Sequence, residues 1–309
     1  MPGNPAWSPS WDLVRDIQIM WSLPSMVNAY RAGTIIAVTA GVVGWFMVLR
    51  RQSFAGHTIS VAGFPGAAAA VLLGVASGYG YFGFCVAAAL VIAYGTRPGA
   101  RDAAHESALT GVVQAFALAC GMLFVSLYGG FLNQVDTLLF GTILGITSGD
   151  VLVLAAVAVA VLAVLAVIGR ALLFASVDPG VARARGVPVR LLGAVFLVLL
   201  GAATAEVSQI TGSLLVFALL VMPAATAQLI TARPATSLLL TVLIGFAVTW
   251  AGFGFAFFTA YPIGFYITTF AFGTYVLAYL VRLAGPTVAA RFPRPSGESQ
   301  GTAKIVGAS

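Results

Sequence analysis

GSLLVFALLVMPAATA, residues 212–227, runs apolar for most of a membrane crossing and then meets Pro223. A proline inside a helix removes a backbone donor and crowds the preceding turn, at a cost of about 3 kcal/mol. In hydrocarbon such a helix persists only where neighbouring helices satisfy the freed groups. The stretch therefore belongs inside a bundle and not on its lipid surface. Ala218, Ala224, Ala225, Thr226 and Ala227 surround the proline, and small residues let other backbones come close. These features predict a proline-broken helix lining a pathway.

The rest of the chain has the composition this reading requires. Of 309 residues, 60% are hydrophobic and 8% charged, and the mean hydropathy is +1.02. Those values exclude a soluble domain and imply a polytopic membrane protein. The net charge of +6 does not mark a nucleic-acid partner. The arginines stand singly or in pairs beside apolar runs, with no basic stripe and no interleaved aromatics. Charge at the ends of spans sets orientation instead. Cys85 and Cys120 lie in apolar segments without CxxC spacing and read as core thiols.

Windows long enough to cross about 30 Å of hydrocarbon fall at 32–49, 57–76, 80–94, 109–127, 151–168, 191–209, 212–230, 236–258 and 264–281. The fold class is thus an all-α polytopic bundle of about nine (eight to ten) transmembrane helices, with short interfacial or coupling helices. The shortest window, 80–94, is a candidate re-entrant segment. Three regions follow: an N-terminal interfacial or extended segment at 1–31, a transmembrane domain at 32–284, and a disordered tail at 285–309 rich in Pro, Gly and Ser. The N-terminus lacks the pattern of a signal peptide. Trp11, Ile17 and Trp21 among Asp12, Arg15 and Asp16 suit a helix lying on the membrane or a loose extension.

Arg50 and Arg51, Arg97 and Arg101, then Arg170, Arg183, Arg185 and Arg190, then Arg233, and finally Arg282 occupy every second connection. By the positive-inside rule those connections and the C-terminus are cytoplasmic. Arg15 and Arg31 dissent from an outside N-terminus. The segment 128–150 between two spans reads as an interfacial or re-entrant piece or as a surface loop. In the connection 170–190, Asp178 reads as an N-cap, Pro179 as the first helical residue, and Gly186 with Pro188 as the stop. The resulting short helix bears Arg183 and Arg185, which suit either anionic lipid or a docked cytoplasmic partner. The chain has no GxxxxGK[ST] phosphate loop, so any ATP is hydrolysed on another subunit. No protease or hydrolase motif is present.

Four stretches together resemble the permease family of ABC importers for zinc, manganese and iron. VLRRQSFAGHTISVAGFPGAAAAVLLG at 48–74 is similar to the family's LRRxSxxGDAxSHxxLPGxAxA. DTLLFGTIL at 136–144 is similar to its LFGxIL loop, VDPGVARARGVPVR at 177–190 to its DPxxARxxGxPVR segment, and QITGSLLVFALLVMPAATA at 209–227 to its QxVGxLLVxALLxxPAATA run. The resemblance implies a permease in the cytoplasmic (inner) membrane, either a homodimer with a second copy or paired with another permease chain. It also implies a cytoplasmic ABC ATPase that binds ATP and an extracytoplasmic metal-binding protein. The cargo would be a divalent metal, Zn2+ or Mn2+, with no stably bound cofactor. Asp178, Pro179, Arg183, Arg185 and Gly186 resemble the element that couples to the ATPase.

His57 is the metal-ligand candidate. The family motif has an acidic residue and a histidine four positions later, on one helix face, where carboxylate and imidazole could share a cation. Here His57 replaces the acid and Val61 the histidine. One imidazole does not hold a metal that favours four ligands, and Ser60, Thr58 and carbonyls near Pro65 are weak substitutes. His57 reads otherwise as a polar residue bonded to a neighbouring helix. Glu206 either attracts cations or snorkels at the outer end of its span, and Gln209 could brace the turn to Gly212. Pro223 and Thr226 complete the pathway candidates. His105, beside Arg101, Asp102 and Glu106, reads as a solvated loop residue, and Gln114 as an interhelical hydrogen-bonder. Zinc ranks first, because imidazole suits it better than manganese. The rival functions are a stand-alone proton- or sodium-coupled carrier and a permease of this family with a changed substrate.

Overall fold

The computed structural model of the chain describes residues 18, 20–95, 102–128, 145–213, 216–259 and 261–284, with the backbone alone at 102–106 and 210. Among these residues every regular element is a helix: α1 (Pro24–Leu49), α2 (Ser53–Leu72), α3 (Ser77–Gly95), α4 (Asp102–Tyr128), α5 (Ser148–Val177), α6 (Pro179–Ala184), α7 (Val189–Thr211), α8 (Val216–Ile230), α9 (Pro234–Phe257) and α10 (Ile263–Ala284). Eight are long and apolar enough to cross a membrane, and α8 is a shorter apolar helix. The N-terminal segment at 1–17, Arg97, Arg101, the DTLLFGTIL stretch, the side chains of His105 and Glu106, and the tail at 285–309 lie outside the described residues.

Local chemistry sets several helix starts. Pro24 and Pro234 stand in the first turns of α1 and α9, where a missing N–H costs nothing. Thr147 and Asp150 cap α5 reciprocally: each side chain takes the other's backbone N–H, satisfying two donors the helix leaves free.

Three features differ from expectation. The first crossing begins at Pro24, a full two turns before residue 32, because Met26, Ala29 and Tyr30 are buried against the bundle and hold the helix beyond its apolar window. Segment 80–94 is not re-entrant in shape; α3 is a continuous helix of 19 residues. Neither proline breaks its helix, since α2 runs through Pro65 and α8 through Pro223.

Close packing explains how both prolines are accommodated. Beside Pro65, the backbones of Gly66 in α2 and Gly80 in α3 touch; a Cβ on either would overlap the other's carbonyl oxygen. The turn before Pro223 lies against Gly44 of α1, where a Cβ would overlap the Leu220 carbonyl oxygen. Such approaches allow weak Cα–H···O contacts and maximise dispersion, which drives association where lipid is as apolar as leucine. Thr226 adds a hydrogen bond to the Met222 carbonyl at 2.7 Å.

Two groups of helices result. In one, α2 packs on α3 and α4, and α3 on α7; in the other, α1, α8, α9 and α10 pack together, with α5 lying against α1 and α7. The innermost is α2, with 78% of its apolar window buried against 17% for α4 and 22% for α10. The two proline helices are thus interior ones: α8 touches α1, α9 and α10 along its length and α2 and α7 at its edge.

The backbone contact at Gly80 yields a stability prediction. Gly80→Leu is expected to cost more than the 1–3 kcal/mol usual for overpacking, because backbone cannot move aside as a side chain can. Gly83→Leu, where a Cβ meets nothing within 4 Å, should leave stability unchanged. Thermal melting of the two detergent-purified variants checks this; equal melting temperatures would remove the close contact from the account.

Candidate functional site

The motif around His57 forms the start of α2. Its ring meets Phe217 of α8 edge-on, with centroids 4.9 Å apart, so His57 sits on the seam between the two helix groups. It is half-buried, and Nδ1 is enclosed without a hydrogen-bond partner. The residues expected to support it are mostly engaged elsewhere. Ser60 donates to the His57 carbonyl at 2.7 Å, and Thr58 donates to Gln114 Oε1 at 3.1 Å, joining α2 to α4. Val61 is buried; its carbonyl loses the amide donor that position 65 would supply were it not proline.

Glu206 of α7 is fully buried. Its Oε1 lies 3.5 Å from Thr39 Oγ1 of α1, at the limit of a hydrogen bond, and Oε2 has no partner. Thr39 already donates to the Ile35 carbonyl at 2.9 Å, and one hydroxyl proton cannot serve both. Glu206 therefore does not snorkel: it points between helices. A carboxylate placed there costs about 2.5–3.5 kcal/mol on insertion scales, a penalty that packing alone does not explain.

Gln209, one turn further on, faces Gly78 at the start of α3 and leaves Nε2 buried and unpartnered. It lines a recess of about 310 Å³ with Ser77, Tyr79, Ile146 and Asp150. This recess gathers residues from the α2–α3 turn, the start of α5 and the end of α7, all at the end of the bundle whose described connections carry no arginine. Thr204 Oγ1, Ser213 Oγ and Thr268 Oγ1 are likewise buried without partners. Among the described residues no three of His, Cys, Asp and Glu converge as a metal-binding group. His57 meets Phe217 of α8 while Glu206 lies beside Thr39 of α1, so their contacts lie on different helices.

At the opposite end, α6 follows the pattern read from its residues. The Asp178 carboxylate accepts from the N–H groups of Gly180 and Val181 at 3.0 and 2.9 Å. Pro179 opens the helix, and Gly186 leaves it at φ +78°, a conformation glycine adopts without strain. Ala182 is buried while Arg183 and Arg185 are exposed. The small helix is pinned by one face and presents its arginines outward.

The family model described as "ABC 3 transport family" matches residues 22–282. The chain belongs to the ABC 3 transport family. As a member it is a membrane permease component of ABC transport, without catalysis of its own, and a stand-alone ion-coupled carrier is set aside. The chain is 30% identical over 229 residues to the manganese transport system membrane protein MntC of Halalkalibacterium halodurans, covering 74% of this chain and 77% of that one. It is 31% identical over 223 residues to the chelated iron transport system membrane protein YfeC of Yersinia pestis, covering 71% and 74%. PsaBC from Streptococcus pneumoniae in complex with Fab has a chain of the same fold, with TM-score 0.75, 26% identity, and coverage of 86% and 95%.

Sequence reading of this ABC 3 permease missed Phe217, the aromatic neighbour of His57, and Thr39, the contact of Glu206. Both are ordinary residues of apolar helices, and only packing distinguishes them. Gln114, by contrast, makes the interhelical bond expected of it.

The unpartnered carboxyl oxygen gives a test. Removing a buried charge while keeping its shape relieves an unmet desolvation penalty, so Glu206→Gln should hold or raise the melting temperature. A fall of several degrees in detergent would mean that the carboxylate has a partner that stabilises it.

Proposed function

We propose that this chain is the membrane permease of an importer that moves a divalent transition metal inward across the cytoplasmic membrane. ATP is bound and hydrolysed by separate cytoplasmic subunits, and an extracytoplasmic metal-binding protein delivers the cargo. Family membership is the observation that carries this reading, with relatives named for manganese and chelated iron transport. Arginines in alternate connections favour the α6 end as cytoplasmic.

In this reading α6 seats in the ATPase. Closure of two ATPase subunits on ATP draws the α6 helices of two permease copies together. Asp178 alone joins α6 to α5, and four residues join it to α7, so little motion is lost before it reaches the spans. The seam of α2 with α8 and the buried face of α7 form the pathway wall, including His57, Glu206 and Gln209. Pro65, Pro223 and Thr226 keep that wall compact, while Ser60 is turned to its own backbone. A second copy would bring a second His57, which helps a cation that one imidazole cannot hold.

The relatives favour manganese or iron as cargo. His57 favours zinc, because it supplies nitrogen where the family motif has a carboxylate, and harder manganese prefers oxygen. Uptake separates these. With its neighbouring ATPase co-expressed in cells lacking their own importers, the chain should confer ATPase-dependent metal accumulation. His57→Ala should lower it about tenfold or more, at least the loss usual when even a residue supporting a metal ligand is removed. His57→Asp should shift preference from zinc toward manganese. Unaltered rate and selectivity in both variants would take His57 out of the pathway.

The coupling assignment has its own measurement. Changing Arg183 and Arg185 together to Glu reverses two exposed charges without touching the Asp178 cap, and should abolish co-purification of the ATPase while leaving the permease folded. Undiminished co-purification would move docking away from α6.

A further inference from the structure

A second feature of the fold is independent of the transport seam. Between α1, α5 and α9 runs a groove of about 430 Å³, open along its side. Val42 and Phe46 form one wall, Leu162 and Leu165 the other, Leu238 lies along α9, and Arg170 stands at one end. We infer that this groove binds one anionic phospholipid, with an acyl chain along the apolar walls and its phosphate on Arg170.

Depth is the first argument. From Leu162 to Arg170, where the phosphate would sit, the lining of α5 spans eight residues, about 12 Å at the helical rise. That is close to half of a hydrocarbon core of about 30 Å, the depth of one leaflet. Arg170 follows the long apolar run of α5 directly, where the headgroup layer begins. The site thus lies at the arginine-bearing end of the bundle.

Charge is the second. Neither α1 nor α9 contains Asp or Glu, and the one acid of α5, Asp150, is at its far end, occupied in the helix cap. Arg170 is exposed, and no hydrogen bond or ion pair to it is found among the described residues. Arg50, nearby in the same layer, is fully used: it donates to Gln52 and Ser176 and lies over Phe196. Arg170 is thus a cation whose surrounding helices offer no counterion, and a phosphate supplies one. The first turn of α9, at Pro234 and Ala235, lines the same end and brings helix-start amides whose field favours an anion.

Rigidity is the third. Trp45 donates to Ser237 Oγ at 3.0 Å, tying α1 to α9, and Gln228 donates to the Trp45 carbonyl at 3.0 Å, tying in α8. The α1 and α9 walls are therefore fixed relative to each other. Gly169 sits beside Phe46, where a Cβ would make ordinary contact at 3.7 Å; a larger side chain there would occupy the groove. Basic pockets between membrane helices take anionic headgroups for these reasons.

The test uses the purified full chain in detergent, titrated with phosphatidylglycerol or phosphatidylcholine and read by native mass spectrometry. Wild type should retain one phosphatidylglycerol per chain, about fivefold more tightly than phosphatidylcholine, the scale of one arginine near an anionic lipid. Arg170→Ala should erase that preference, Arg170→Lys should keep most of it, and Gly169→Leu should weaken both lipids. Arg282→Ala, at the same boundary but outside the groove, should match wild type. No preference in wild type, or the same preference in Arg170→Ala, would overturn the site. So would efficient disulfide cross-linking between chains carrying Ala166→Cys in native membranes, since a second copy would then cover the groove. If Arg170→Ala fails to fold, a wild-type preference with both lipids weakened in Gly169→Leu supports the site, and binding unweakened in Gly169→Leu overturns it.

Discussion

In hydrocarbon, helices gain nothing by hiding apolar surface from lipid that is equally apolar, so this bundle depends on backbones coming into direct contact. The contacts of Gly66 with Gly80 and of Gly44 with Leu220 are the points where this happens. Both lie within one turn of a proline. The helices that carry Pro65 and Pro223 therefore sit in the interior, where neighbours can repair a disturbed ladder, and their placement decides which residues face one another across the seam. His57 meets Phe217 because α2 and α8 are held at that seam. The contact follows from where the small residues and prolines stand.

Against this apolar background the buried polar groups fall into two sets. Thr34, Thr39, Ser208, Thr211, Thr226, Thr241 and Thr249 return a hydrogen bond to the carbonyl four residues earlier, a local solution that needs nothing from outside. His57 Nδ1, Glu206 Oε2 and Gln209 Nε2 have no such solution. A carboxylate, an imidazole and an amide are too long or too strongly polar to be satisfied by their own helix. Left unpaired in a dry interior they are costly; a cation passing between helices is a natural recipient of the carboxylate and imidazole lone pairs, while the Gln209 amide nitrogen can only donate. The hydroxyls of Thr204, Ser213 and Thr268 are unpartnered too, so what sets the three pathway residues we propose apart is the stronger polarity of their side chains.

The two ends of the bundle differ in kind. The end whose described connections carry no arginine opens as a recess around Gln209 and Asp150, while the other presents α6, a six-residue helix held by its cap and by one buried alanine. In the function we propose, the cap and the buried alanine matter because a coupling element transmits force only if it does not melt. Arg170 stands apart from that machinery, at a groove facing lipid.

Much of this was legible in the residues. Hydropathy alone located nine helices, because any apolar run of that length must satisfy its backbone internally in a membrane. The Asp178–Pro179 start and the Gly186 stop were equally readable, since caps depend on residues within one turn. Gln114 was recognisable as an interhelical bonder, and four motif stretches identified the family. Other features required the fold. The prolines suggested breaks, yet both helices run through uninterrupted, packed closely against backbones distant in sequence. Glu206 read as either a snorkelling side chain or a cation attractor, and only its complete burial against Thr39 decided against snorkelling. The sequence by itself determined the helices, their caps and their arginine-marked ends, which arise from interactions within a few residues. Tertiary structure alone decided which polar atoms are left unsatisfied, because that depends on which helix faces which.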